Sequence, residues 1–325
     1  MELKTADFKN IAKDIFYYTG MYKLSLQASR LCGSPALLIL TYHRVYPADS
    51  DYVYLGVSRD VFDQHMKFVK DNFKAVSMQE GIKALYGSGS REIYAAINLD
   101  DGYMDNYTNA FPVLRKYNMP ATIFLTTDLI GKYHTFWWDK VFDIVSQDKF
   151  SSFEAGVEAD RINKALVGKN EEEAALFIQD MKKRHGYADK HGLCRMLGWQ
   201  EIKEMNRCNI SFGAHTKTHR NLCLPKDKDA LEELRGSKNT IEDGLGTEAS
   251  GFSYPFGVFD QRIKALVKEA GFKYARANFK SFNYKDSDPF LLSCIGAGAV
   301  LKPGFLAARL FSAYLAGQGR RTNGY

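Results

Sequence analysis

The stretch Ala95-Ala96-Ile97-Asn98-Leu99-Asp100-Asp101-Gly102-Tyr103 is an apolar run that ends in two adjacent carboxylates and a glycine. A strand buried on both faces reads this way when its carboxyl end delivers polar groups to a site. Neighbouring strand residues point to opposite sides, so the two aspartates suit different work: one can bind a metal while the other takes a proton. Gly102 lets the backbone turn sharply and approach a ligand closely.

Working outward, Pro35 opens a second apolar run, Ala36 to Tyr42, that ends in His43-Arg44, and Pro120 opens a third, Ala121 to Thr127. Residues 59–86 read as one or two helices and 106–117 as another. Strand, helix, strand, helix, strand implies parallel pairing with right-handed crossovers. The rhythm breaks between 131 and 198, where Phe136-Trp137-Trp138-Asp139 leads into charge-rich helical sequence, a helical excursion that suits a lid or subdomain. Trp138 and its neighbour could stack on a sugar or pack as core. Strand character returns at Asn209 to Ala214, which ends in His215-Thr216-Lys217-Thr218-His219. A helix over 229–244 precedes the strand-to-loop segment Ser250 to Gly257. A helix over 260–270, strands over 273–277 and 291–295, and a helix over 304–315 complete the pattern, with a frayed tail expected from Arg320.

Composition sets outer bounds. Hydrophobic residues at 45% and charged residues at 25% are ordinary for a soluble globular chain able to bury a large core. The net charge of +6 fits an anionic substrate or membrane surface, but scattered basic residues without an aromatic-basic stripe argue against a nucleic-acid partner. Five cysteines, Cys32, Cys194, Cys208, Cys223 and Cys294, are odd in number and lack any CxxC, which suggests reduced thiols. Met1 to Gly20 has no apolar signal-peptide core, and no segment approaches a membrane-spanning length, so the expected location is the cytoplasm. Residues 6–30 read as an amphipathic helix packed on the domain. Its lysines and aromatics also suit peripheral contact with the inner membrane face or with polysaccharide-synthesis machinery.

Chemistry concentrates at three strand ends. An aspartate with His215 and His219 makes a three-ligand set for a divalent ion, most suitably Zn²⁺ with Co²⁺, Ni²⁺ or Mn²⁺ as alternatives, leaving a position open for water and substrate. The remaining aspartate can then act as general base. The bland alternative makes the aspartates a helix cap and the histidines surface residues. His43, just past a buried strand, is either structural or part of the site.

Asn98-Leu99-Asp100-Asp101-Gly102, His215-Thr216-Lys217-Thr218-His219 and Tyr254-Pro255-Phe256-Gly257, in that order, resemble the motifs of the polysaccharide deacetylases, carbohydrate esterase family four with the NodB-homology domain. The resemblance spans about 36–298. It implies an α/β fold, a distorted (β/α) barrel with fewer than eight strands, and a metal-dependent hydrolase that removes N-acetyl groups from amino sugars. By position, Asp100 matches the general base, and Asp101, His215 and His219 match the metal ligands. The Phe256 amide, with Tyr254, Pro255, Gly102, Tyr103 and Trp138 nearby, matches oxyanion and substrate contacts. The expected organisation is a helical segment over 1–33, a barrel domain over 34–300 with its insertion at about 131–198, and a C-terminal helix and tail over 301–325.

Two departures stand out. The family often has an arginine two residues before the motif's proline, orienting the base, where this chain has Ser253, and many members have a late histidine that this chain lacks after His219. Tyr42-His43 is similar to an early Tyr-His motif of the biofilm-polysaccharide branch, which implies His43 as the acid and Arg44 as a cation beside it. The expected partner is an N-acetylated carbohydrate, in a surface polysaccharide or its lipid- or nucleotide-linked precursor. An O-acetyl esterase, a non-sugar amidase and an inactive carbohydrate-binding protein are the competing readings.

Overall fold

The computed structural model describes Thr19 and residues 35–50, 54–87, 89–147, 151–169, 171–187, 194–297 and 303–322. The helix expected over 6–30 lies outside these, Thr19 excepted.

Fully buried apolar runs need neighbours on both sides, and they find them in a parallel sheet. Strand β1 (Ala36–Tyr42) is followed by β2 (Arg44–Tyr46) and β3 (Gly56–Ser58), a small parallel pair of their own. Helix α1 (Arg59–Asn72) starts where Ser58 accepts from the Val61 amide. The sequence left one or two helices open here. There are two, because β4 (Lys74–Ala75) pairs with the next sheet strand and a Ser77–Glu80 capping box starts α2 (Met78–Tyr86) afresh.

Strand β5 (Ile93–Asp101) carries the two aspartates. A π-helical turn, Asn106–Ala110, leads into α3 (Phe111–Tyr117), which ends at left-handed Asn118 before β6 (Ala121–Leu125). The insertion is entered and left through an antiparallel ribbon, β7 (Tyr133–His134) against β8 (Cys194–Arg195). Between them lie α4 (Trp137–Ser146), α5 (Ser152–Leu166) and α6 (Glu171–Arg184). The barrel resumes with α7 (Trp199–Asn206), β9 (Ile210–Ala214), α8 (Asp227–Leu245), β10 (Gly251–Ser253), α9 (Gln261–Glu269) and β11 (Tyr274–Ala277).

The last expected strand is split. Strand β12 (Leu292–Ser293) pairs with β11, and β13 (Ile295–Gly296) pairs with β1. Only Cys294 separates them, so this one stretch joins both edges of the sheet, whose order is β12-β11-β10-β9-β6-β5-β1-β13. The result is a nearly closed, mostly parallel barrel of eight strands, in which β12 and β13 are the two halves of one interrupted segment. Helix α10 (Pro303–Thr322) covers α1 with Leu306 and Leu310 buried, and runs past the expected end at 315. No described helix is long and apolar enough to cross a membrane.

Register levels the carboxyl ends. Tyr42 pairs with Leu99, Asp101 with Leu125, Leu125 with Ala214, Phe252 with Ala214, and Ser253 with Arg276. Polar residues that follow these apolar runs therefore meet at one rim.

Gly213 is a packing requirement of that register. A Cβ there would lie 2.6 Å from the Phe124 ring and 2.9 Å from the Gly251 carbonyl oxygen. Gly213→Ala should lose about 1–3 kcal/mol in urea unfolding, because neither neighbour can retreat without opening the β6–β9–β10 pairing.

Candidate active site

At the end of β5 the backbone leaves the extended conformation: Asp101 has φ 72° and Gly102 φ 83°. A left-handed turn at a non-glycine residue costs of order 1 kcal/mol or more, and it swings the Asp101 carboxylate toward the rim. Strand alternation thus does not separate the two aspartates, and both serve one mouth. Asp101 Oδ1 lies 3.5 Å from His215 Nε2 and 3.2 Å from His219 Nε2. All three residues are buried, and one donor atom from each falls within a 4.8 Å cluster. Among the described residues, neither Asp101 oxygen has a hydrogen-bond partner. A buried, unpartnered carboxylate is costly, and one carboxylate with two imidazoles is a donor set that fits a divalent cation.

His215 Nδ1 lies 2.7 Å from the Ser253 carbonyl, an acceptor, so this nitrogen carries the proton and Nε2 presents its lone pair. Burial, reinforced by His219, pushes His215 down to about 4, so the ring is neutral at physiological pH. The two histidines reach one point through a loop, with φ 66° at Thr216 and 64° at His219. Thr216 Oγ1 accepts the His219 amide at 2.9 Å. Glu233 of α8 accepts the Lys217 and Thr218 amides at 2.9 and 3.0 Å and the Thr218 hydroxyl at 2.9 Å. Sequence reasoning missed Glu233. Its signal was an acid on the stripe of Ala230, Leu234, Ser237 and Ile241, the buried face of α8.

Asp100 has a different partner. The guanidinium of Arg276, 2% exposed on β11, contacts both of its oxygens. Arg276 also donates to Cys294 Sγ at 3.2 Å, lies over the Phe124 ring at 5.1 Å, and donates from Nε to the Asn98 amide oxygen at 3.3 Å with that amide facing it. Ser253 is the cross-strand partner of Arg276. The arginine missing at position 253 is therefore replaced from the next strand, one lateral step along the barrel. Sequence order gives no hint of this, since Arg276 lies inside an apolar strand with no motif around it. His43 Nε2 stands 3.9 Å from Asp100 Oδ2, and its side chain is 35% exposed. Asn106 of the π-helical turn donates to the His43 carbonyl at 2.9 Å, fixing the loop that carries it.

A family model described as polysaccharide deacetylase matches residues 88–275. The protein YxkH of Bacillus subtilis is 40% identical over 242 residues, which cover 74% of this chain and 63% of YxkH. The chain belongs to the polysaccharide deacetylase family. It thus spans a little under two thirds of that relative's length. A poly-beta-1,6-N-acetyl-D-glucosamine N-deacetylase of Staphylococcus aureus is 22% identical over 261 residues, covering 73% of this chain and 70% of that one. In solved structures, IcaB from Ammonifex degensii shares the fold, with a TM-score of 0.59 at 19% identity over 85% of this chain and 98% of that chain.

In this family member the insertion supplies one wall of the mouth. Trp138 lies 4.5 Å from the His219 ring and 5.5 Å from Phe256, and Phe256 lies 4.6 Å from His219. Phe256, φ 59°, turns the backbone left-handed between buried Pro255 and Gly257. Gly102 is needed for its close approach as well as its φ, since a Cβ would meet Leu125 at 2.9 Å.

Three expected contacts lie elsewhere. Tyr254 is a core residue: its ring packs on Phe252 and Phe259 and its hydroxyl donates to the Phe290 carbonyl. Arg44 does not stand beside His43 as an orienting cation. It donates to Asp105 at 2.8 Å and stacks on Tyr46 and Tyr103. Tyr103 is buried and braces the wall from behind, donating to Asp139 Oδ2 at 2.8 Å and accepting from Trp138 Nε1 at 3.2 Å. Cys294, which has no obvious role in sequence, seats Arg276.

The buried Asp100–Arg276 pair should show strong coupling. Arg276→Met alone should cost about 3–5 kcal/mol in urea unfolding by stranding the carboxylate, and adding Asp100→Asn should recover a large part of that loss.

Burial pushes Asp139 up to about 7. Between the ordinary aspartate value of about 3.9 and that value, the folded state holds a proton that the unfolded chain releases, so stability falls as pH rises through the window. Asp139→Asn keeps an acceptor for Tyr103 and should flatten the unfolding free energy between pH 5 and pH 8.

Proposed function

We propose that this polysaccharide deacetylase is a metal-dependent hydrolase that removes N-acetyl groups from an amino sugar, within a surface polysaccharide or its lipid- or nucleotide-linked precursor. One observation carries the reading: an unpartnered carboxylate and two imidazole nitrogens converge beside a second carboxylate that already has its own cation. Asp101, His215 and His219 would hold the metal, with Zn²⁺ best suited to one carboxylate and two imidazoles. A bound divalent ion supplies Lewis-acid polarisation of the acetyl carbonyl and lowers the pKa of water.

The remaining work falls to this chain's own side chains. Asp100, clamped by Arg276, accepts the proton of the attacking water. Its carboxylate is oriented before substrate arrives, so no reorganisation is needed at the moment of attack. The Phe256 amide, set by its left-handed turn, serves the oxyanion that develops on the acetyl oxygen. His43, within reach of Asp100 and open to solvent, donates a proton to the leaving nitrogen. Water and the amide then yield a free amine and acetate. Trp138 packs against the sugar side of the mouth. The name of the Staphylococcus aureus relative supports an N-acetylated hexosamine polymer or its building block as the substrate class. We assign the protein to the cytoplasm, on the precursor side of such a pathway.

Metal content and acetate release, measured together on a panel of N-acetylated and O-acetylated sugars, test this reading. His215→Ala should lose the metal. Asp100→Asn should retain it and lose acetate release by about 10²–10⁴-fold, and His43→Ala should retain it and slow by a comparable factor. Release from O-acetylated sugars alone would make the protein an esterase, and a metal-free wild type would remove the mechanism.

A further inference from the structure

The two histidines of the donor set are aimed by different means. His215 is aimed by a hydrogen bond, its Nδ1 lying 2.7 Å from the Ser253 carbonyl. His219 turns Nε2 to Asp101 at 3.2 Å, yet among the described residues its Nδ1 has no hydrogen-bond partner. A histidine that binds a metal is ordinarily oriented by an acceptor on its second nitrogen. His219 is boxed by rings instead. Trp138 lies 4.5 Å from it at 54°, Phe256 4.6 Å at 79° and Phe136 5.5 Å at 62°. Tilted and edge-on ring contacts are directional, so they constrain the imidazole plane. The constraint matters here because His219, Trp138 and Phe256 also border a cavity of about 840 Å³ beneath the insertion, which gives the imidazole room to turn unless the rings hold it.

The nearest of these rings has an anchor of its own. Trp138 is 5% exposed, and its Nε1, a donor only, donates to the Tyr103 hydroxyl at 3.2 Å. That hydroxyl donates in turn to Asp139 Oδ2 at 2.8 Å, and the Arg44 guanidinium lies over the Tyr103 ring, 4.4 Å from its centroid. Phe136 stacks on Trp138 at 4.3 Å and 11°, which ties two sides of the box together. Tyr103 follows Asp101 by two residues, and Asp139 follows Trp138 on α4. The connection therefore leaves the barrel beside one donor residue and returns from the insertion against another. Tyr103, Trp138 and Asp139 are all buried, so water does not compete for the bonds between them.

We propose that Trp138, Tyr103 and Asp139 are positioning residues for His219, and that the affinity of the Asp101–His215–His219 cluster for a divalent cation depends on this ring box in place of a hydrogen bond to Nδ1. Asp139 orients the Tyr103 hydroxyl, the hydroxyl orients the Trp138 indole, and the indole fixes the imidazole plane. The proposal rests on the metal reading of that cluster. It gives the insertion a part in ligand geometry, apart from any contact with substrate.

Titration of Zn²⁺ into the metal-free full chain against a chromophoric chelator tests this, with the visible absorption of bound Co²⁺ as a second readout of ligand geometry. Trp138→Leu should bind Zn²⁺ about 10–100-fold more weakly than the wild type, the usual cost of losing an outer support of a ligand, and should alter the Co²⁺ spectrum. Trp138→Phe and Tyr103→Phe each remove the same indole–hydroxyl bond and keep a ring. Each should weaken Zn²⁺ binding by a smaller factor, and the double variant should be no weaker than either alone. This cycle carries the test should Trp138→Leu not fold. Phe142, stacked on Tyr54 at 4.3 Å in the insertion's own core, provides the control. Phe142→Leu should lower the urea midpoint and leave Zn²⁺ affinity within about twofold, since it removes packing and no support of His219. Additive losses in the cycle, an affinity unmoved by the Trp138 variants, or an equal loss in Phe142→Leu overturns the ring box. A wild type that binds neither Zn²⁺ nor Co²⁺ overturns the metal reading instead.

Discussion

Two adjacent carboxylates brought to one buried mouth must each find a positive partner, and most of the candidate site follows from that constraint. Burial penalises ionised Asp100 and Asp101 alike. Asp100 is satisfied from within the chain by Arg276. Asp101 faces the two histidine donors, with no hydrogen-bond partner for either oxygen among the described residues. An ion pair on one side and an imidazole donor set on the other divide the labour between neighbours that the sequence presents as equals.

The supports around this pair are aimed at holding it. Cys294 and Asn98 fix the guanidinium, the Ser253 carbonyl fixes the His215 tautomer, and Glu233 fixes the loop between the histidines. These second-layer contacts determine whether a donor set is a ligand cage or a loose cluster. They also account for unusual backbone. Left-handed conformations at Asp101, Thr216, His219 and Phe256 gather at the mouth, where strain is maintained by surrounding hydrogen bonds and packing.

The insertion changes what the barrel can recognise. Its antiparallel stalk enters beside the β5 end, where Tyr103 bridges to Met196. Its first helix brings Trp138 against His219, and the Tyr103–Asp139 bond ties that helix to the residue following Gly102. The same segment lines the cavity with residues from His134 to Lys182, so mouth and cavity are roofed by one piece of chain.

Local patterns alone determined a good deal of this protein. Apolar runs ending in Asp100-Asp101-Gly102, in His43 and in His215 announced parallel strands with a polar rim, and three ordered motifs announced the family, because backbone pairing and the polar residues at strand ends are written in short-range composition. The lateral assignments were decided only by tertiary structure. Ser253 and Arg276 are 23 positions apart in sequence, yet register makes them neighbours, so a charge lost from one strand is recovered from the next. Cys294 is unremarkable in sequence and decisive in the fold, because the chain changes strand partners there to close the barrel. Tyr254 sits within a motif but faces the core, since strand direction, which the motif does not encode, sets which way a side chain points. The residues that line the cavity come from the insertion, the histidine loop and the turn at Phe256, and only the packing of the insertion over the rim brings them together.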